Sequence, residues 1–560
     1  MSRKSNVRIE SSNSDWWSDL ERVASLGRMK KPSFSGSWLK DDAAWKNPVD
    51  VRENSYVRTE IFNPGDGSGR MFRISPYEYG MGESEIDVVV DSINRGHEIL
   101  PPDSIMENEK RLRRYLESKM VRNITGFDRS DMQRLARISA QYSVGYGTLE
   151  HLLRDERIQD IYVDSPPEST PVYVSIGGAS DPEMEGIYPT NIFLTGKEID
   201  RLVSILRYHS DRPFSEANPV LECDLEMYNS RVTVVGPPLS PGGVSIAVRK
   251  HSHDPWTLLR LIDAGAVTAR SAAFLNLAVD GRSTILVAGP RGAGKTSLLG
   301  ALLFEVERTS RIISIEDTEE LPVMPLREIG YKTLPLLIGE GGNSTAETAL
   351  RTALRLGESV IVMGEVRGPE TRVLYEAMSA GTAGSSVMGT FHADSADSVY
   401  KRVVDDMGVS PGSFSATDLV VVCGLVRPEG RRLNLRRVLQ IAEVVKEGGP
   451  GSFRYLFLYD PSTDSLEPTD ELGSSSVVKR IASSWGWRRK DVLGELETRS
   501  RMFERALKEL SRDRIIRPET EADMLQVFRT VRDEAAAGGW ISDRRRMLDE
   551  CFTAMNRGDE

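Results

Sequence analysis

Apolar and polar positions along this chain follow two different periods. Between about 130 and 250 the two alternate. "MQRLARISAQY", "LEHLLRDERI" and "TGKEIDRLVSILRYHS" repeat apolar residues every three or four positions and predict helices. "QDIYVDS", "PVYVSIGG", "SRVTVV" and "VSIAVRK" are short and β-branched and predict strands, the last two paired across "GPPLSPGG". Together they predict an α+β domain. After the helix pattern "TARSAAFLNLAVDG", strand and helix take turns. "STILVAG", "RIISIED", "SVIVMGE" and "SSVMGTFH" read as strands. "GKTSLLGALLFEVER", "NSTAETALRTALRLG", "PETRVLYEAMSAG" and "ADSADSVYKRVVDDMG" read as helices, the second with a capping-box pattern from Ser344 to Glu347. Such alternation predicts a parallel sheet covered on both faces. "DLVVVCGLV", "RRVLQIAEVV" and the hairpin "RYLFLYDPSTDSLEPT" add strands, and the last 85 or so residues are charged and helical in pattern.

The expected organisation is an N-terminal extension (1–125), an α+β domain (126–252), an α/β domain (253–450), and a β-hairpin with a helical C-terminal region (451–560). Residues 1–125 are mostly polar apart from runs such as "IDVVV" and the amphipathic "IMENEKRLRRYLESKM".

Composition narrows the function classes. A net charge of −11 speaks against a general nucleic-acid binder, which carries a basic face. Three dispersed cysteines, Cys223, Cys423 and Cys551, form no CxxC pair, so a disulfide framework or zinc module is not expected and a reducing compartment fits. The first residues lack the apolar core of a signal peptide, and no run of about 18 apolar residues predicts a membrane span. The expected location is cytoplasmic, with any membrane role exercised through a partner.

The sharpest motif is Gly289-Pro290-Arg291-Gly292-Ala293-Gly294-Lys295-Thr296-Ser297, a full GxxxxGK[ST] between an apolar strand and a helix. Its glycines let backbone amides wrap phosphates, and the helix start adds partial positive charge. Lys295 suits the β/γ-phosphates and Thr296 offers a hydroxyl to Mg²⁺, so the predicted ligands are ATP and Mg²⁺. Hydrolysis needs further groups at the carboxyl ends of neighbouring strands. Three strands end in them: Glu316 and Asp317, Glu365, and His392. Glu365 is the candidate general base or water-orienting carboxylate. Glu316 is a candidate for the Mg²⁺ water shell or for placing the lytic water. His392 is a candidate donor to the γ-phosphate. Arg367 could brace Glu365. If "SRVTVV" pairs with "VSIAVRK", Arg231 and Arg249 fall side by side at a hairpin base. By pattern alone they read as surface strand arginines.

This set resembles the type II/type IV secretion ATPase superfamily, which includes pilus assembly and retraction motors, over roughly residues 130 to 445. "IISIEDTEEL" resembles its Asp box, "VIVMGEVRGPET" its Walker B with Gly where Asp is usual, and "GTFHADS" its His box. "RPFSEANPVLECDLEMYNSRVTVVGPPLSPGGVSIAVRK" is similar to its N-terminal domain, especially in the archaeal branch. The resemblance implies a RecA-like P-loop ATPase domain and a homo-hexameric ring at the inner face of the membrane. It further implies a polytopic membrane platform as partner, with pilin-like or secreted proteins moved indirectly, and arginines such as Arg231 and Arg249 near the nucleotide. The chain departs from the family at "LGES" (Leu356–Ser359), at its single His-box histidine, and in having no tetracysteine element. Two other readings stand beside a secretion motor: a related ring that translocates DNA, and a scaffold that binds nucleotide without hydrolysing it.

Outside these motifs, "KHSHD" places His251 and His253 in HxH spacing, read as a solvated linker. "SSWGWRRK" and "DRRRM" are basic clusters read as surface of a packed tail. Trp16 and Trp17 read as a buried or docking pair.

Overall fold

The computed structural model describes residues 29–40, 47–62, 70–96, 109–177, 184, 186–210, 212–250, 255–338, 345–357, 359–379, 386–430, 434–446, 451–537 and 543–557. Trp16, Trp17, Ser344, His251 and His253 lie outside them. The chain divides into two units, Met1–His253 and Asp254–Glu560.

The first unit is built on a six-stranded antiparallel sheet. Its order is Val220–Leu225, Ser230–Val235, Ser245–Lys250, Ile158–Val163, Tyr173–Ile176, Gly186–Pro189. The buried pattern of Ser230–Val235 alternates residue by residue, as a half-covered strand requires. Part of the N-terminal 125 residues folds into this unit. Ser37–Lys40 pairs antiparallel with Ile192–Leu194, and Ile61, Phe72 and Ile74 share its core with Tyr188 and Ile192. Asn191 fixes the join, accepting from the Ile74 amide and donating to the Ile74 carbonyl, each at 2.9 Å. Pairing across some 150 residues of sequence leaves no local periodicity to read.

The second unit carries a nine-stranded sheet. Its order is Lys332–Leu337, Arg311–Glu316, Val360–Val366, Val387–Phe391, Ile285–Ala288, Leu419–Val426, Leu435–Val444, Phe453–Asp460, Ser465–Pro468. The first six run parallel and the last three continue antiparallel. The strand Lys332–Leu337 has no counterpart in the sequence pattern. It contains Pro335, which only an edge strand accommodates, and it lies at the edge. Alternate residues of the central strand feed opposite faces: Ile285 and Val287 enter one apolar core, Leu286 and Ala288 the other. The helix Ala346–Arg355 is capped by Thr345, whose hydroxyl accepts from the Thr348 amide at 3.2 Å. The expected cap was one residue earlier. Among the described residues no helix is long and apolar enough to cross a membrane.

The C-terminal helices are part of this unit's core. Met502, Phe503, Phe528 and Phe552 pack in one cluster with Leu298, Leu302 and Phe304 of the helix Lys295–Phe304. Trp485 and Trp487 pack against the same cluster, edge to face at 5.1 Å. Charged groups bolt the layers together. Arg499, its side chain 2% exposed, donates to Asp280 at 2.7 Å and to Glu495 at 3.2 Å, and Arg532 reaches Asp280 at 3.0 Å. Glu521 accepts from the first two amides of the helix Leu258–Asp263, at Leu258 (3.0 Å) and Leu259 (2.6 Å). Such a carboxylate satisfies donors that a helix start leaves open. Burial first, and the neighbouring Glu521 charge second, push Glu305 well above the usual carboxylate range.

Candidate active site

The strand Ile285–Ala288 ends level with Phe391 on one side and Val422 on the other. The chain then turns through Gly289, Gly292 and Gly294, all at positive φ (155°, 78°, 89°), and enters the helix at Lys295. A Cβ on Gly289 would lie 2.5 Å from the Cys423 carbonyl oxygen, so only glycine fits there. Left-handed glycines followed by a helix start form a concave row of amides, and this backbone fits a nucleotide's phosphates. Lys295 is buried. Its ammonium donates to the Pro290 carbonyl at 3.1 Å and to His392 Nδ1 at 3.4 Å. Burial holds that ammonium below its ordinary pKa, opposed by charges that include Glu365 and Glu320.

Lysine can only donate, so His392 Nδ1 accepts and Nε2 keeps the ring proton. Nε2 lies 3.0 Å from Glu365 Oε1. Glu365 reaches this position through a break in the ladder. Its strand pairs regularly with Val387–Phe391 up to Met363 and resumes at Val366, with a register shift between them. A bulge re-aims side chains in this way. Beyond it, Glu370 closes the turn by accepting from the Arg367 and Gly368 amides at 2.9 and 2.7 Å. Arg367 then stands 3.8 Å from Glu365 and pairs with Asp317. Three different strand ends therefore deliver Lys295, His392 and Glu365 as one contact chain.

Glu316 lies deeper. One oxygen accepts from the Glu320 and Leu321 amides at 3.0 and 2.9 Å, and the other is buried with no partner among the described residues. Burial outweighs the amides and pushes its pKa up to about 7. Gly364 explains how it fits: a Cβ there would come within 2.8 Å of Glu316 Cγ. The glycine that replaces the usual Asp makes room for this side chain. The orphaned Glu316 oxygen, together with Thr296 in the first turn of the phosphate-loop helix, is a donor set suited to a hydrated divalent cation.

The raised Glu316 value has a signed consequence. Folded Glu316 holds its proton above the ordinary value of 4.5, so its contribution to stability is complete below that value and lost as pH rises to about 7. Glu316→Gln is expected to abolish this decline in thermal melts of nucleotide-free protein across that window. An unchanged slope would refute the burial argument.

Arg231 and Arg249 are direct cross-strand partners in the first unit, and Arg231 also pairs with Glu222 at 2.9 Å. One residue beside the phosphate loop escaped the sequence reading: Arg436, whose Nε donates to the Gly292 carbonyl at 3.1 Å. Its only sequence signal is the basic run around Arg431–Arg437, where the strand "RRVLQIAEVV" begins.

A glycine cradle, its lysine, and a carboxylate–imidazole pair on adjacent parallel strands define a P-loop nucleotide site. A family model described as Type II/IV secretion system protein matches residues 198–450. The type IV secretion system protein PtlH of Bordetella pertussis is 33% identical over 236 residues, 38% of this chain and 68% of that protein. An uncharacterized protein of Methanocaldococcus jannaschii is 30% identical over 368 residues, and the match spans 64% of each, just under two thirds of that relative's length. Among solved structures, the VirB11 ATPase of the Brucella suis type IV secretion system is 25% identical, covering 53% of this chain and 93% of that one, at a TM-score of 0.27. The chain belongs to the type II/IV secretion ATPase superfamily. Its fold class is α/β: a RecA-like domain with a mostly parallel sheet, preceded by an α+β unit and backed by C-terminal helices.

Proposed function

We propose that this protein hydrolyses ATP as a hexameric motor for type IV pilus-like assembly or protein secretion, working through a membrane platform protein from the cytoplasmic side. The observation that carries this reading is the contact chain from Lys295 through His392 to Glu365. Amides at Gly292–Thr296 bind the phosphates, and Lys295 leaves Pro290 and His392 for the β/γ-phosphates. Glu365 orients or deprotonates the attacking water, with Arg367 holding its second oxygen. His392 passes the loss of the γ-phosphate between Lys295 and Glu365. Thr296 and Glu316 would hold Mg²⁺, which would neutralise phosphate charge when bound. A general base with nothing to deprotonate has no role in a passive scaffold, and the chain's acidity disfavours DNA translocation.

Arg231 and Arg249, paired across their strands, are assigned as a phosphate clamp. Purified full-length protein is expected to release phosphate from ATP in steady state. Arg231→Ala is expected to lower that turnover by roughly tenfold or more without changing the melting temperature of nucleotide-free protein. No phosphate release under any nucleotide or salt condition would refute the motor. Equal turnover in the variant would refute the clamp alone.

A further inference from the structure

The phosphate loop has two flanks, and only one carries the hydrolytic groups. Glu365 and His392 come from Val360–Val366 and Val387–Phe391, on one side of Ile285–Ala288. On the other side, Leu419–Val426 is level with Ala288 at Val422 and then continues for four more residues, alongside the glycine turn. Cys423 in this overhang places its carbonyl oxygen where a side chain on Gly289 would collide with it, 2.5 Å from the Cβ position. The next strand, Leu435–Val444, places Arg436 opposite Leu425, well beyond the end of the central strand. That register brings an exposed arginine onto the loop: Nε donates to the Gly292 carbonyl, and Cδ stands 3.6 Å from where a Gly294 Cβ would be.

We infer that Arg436 is a nucleotide-binding residue that grips the diphosphate from the flank opposite Glu365 and His392. The inference rests on the nucleotide site proposed above. A guanidinium presents its donors in a rigid fork. Here Nε is anchored on the loop's own carbonyl, which holds the guanidinium beside the glycine turn proposed to receive the phosphates. The γ-phosphate faces the hydrolytic flank, so the groups within reach of Arg436 are those that ATP and ADP share. Arg436 therefore sets affinity for both nucleotides alike.

The test is calorimetric titration of the full chain with ADP and with a non-hydrolysable ATP analogue. Arg436→Ala is expected to weaken both by the same factor, about tenfold or more, as loss of a charged hydrogen bond dictates. The KM for ATP is expected to rise in step, and Arg436→Lys is expected to restore part of the loss. Arg436→Gln separates charge from bracing, since its amide can still donate to Gly292; it is expected to bind as weakly as the alanine variant. Wild-type affinity in Arg436→Gln, or a loss confined to the ATP analogue, would overturn the inference. Failure of the wild-type protein to bind ADP would overturn instead the nucleotide-site reading beneath it.

Discussion

Glu365→Gln is expected to bind ATP as tightly as the wild type and to hydrolyse it about 10²–10⁴-fold more slowly, the range a lost general base commands. The substitution is nearly isosteric. The glutamine carbonyl can still accept from His392 Nε2, where Glu365 Oε1 now stands at 3.0 Å, so the contact chain to Lys295 survives. The cradle of glycines is untouched. What disappears is the negative charge that, in the proposed mechanism, takes a proton from water. Titration with a non-hydrolysable ATP analogue beside single-turnover phosphate release separates the two effects. Turnover within about threefold of wild type would exclude Glu365 from the chemistry.

The second large effect concerns stability. Asp280→Ala is expected to cost about 3–5 kcal/mol, as breaking a buried ion pair from one side does. Asp280 sits among Arg499, Arg532 and Arg529, at 2.7, 3.0 and 3.8 Å. Removing it strands Arg499, whose side chain is 2% exposed, without its closest anion. The three arginines, opposed by burial, hold Asp280 well below the usual carboxylate range. Its stabilisation is therefore present above the unfolded value and is lost as pH falls toward the folded one, so the variant's deficit is expected to narrow in strong acid. Thermal melts at neutral pH are expected to show a fall of roughly 10 °C for the unit. A shift under about 2 °C would mean the arginines re-pair at little cost.

The placement of the strand-end groups was legible in the sequence because parallel α/β sheets place strand termini predictably. Four short apolar runs ending in a glycine loop, an acidic pair, Glu365 and His392 needed only a sheet to be brought side by side. The Arg231–Arg249 pairing followed equally from two alternating runs and a turn between them. Properties set by distant packing were not legible. Nothing local tells that Glu316 is enclosed and tied to the Glu320 and Leu321 amides, or that Gly364 is what makes room for it. Arg436 lies on an antiparallel strand outside the βα pattern, where a basic residue looks like solvent surface. Arg499, Arg529 and Arg532 have the same look along their helices, yet they reach inward to an aspartate some 220 to 250 residues earlier. Lys332–Leu337 was missed because Pro335 argues against a strand except at an edge, and edge position is itself a tertiary property.

The hold of Glu521 on the Leu258 and Leu259 amides links the last helices to the first turn of the second unit. A shortened version ending before Pro518, designed to isolate a minimal nucleotide-binding fragment, would uncover those donors together with Leu298, Leu302 and Phe304. Such a fragment would be insoluble before its catalysis could be assayed. Affinity handles and fluorescent fusions belong after Phe552, never in exchange for what precedes it.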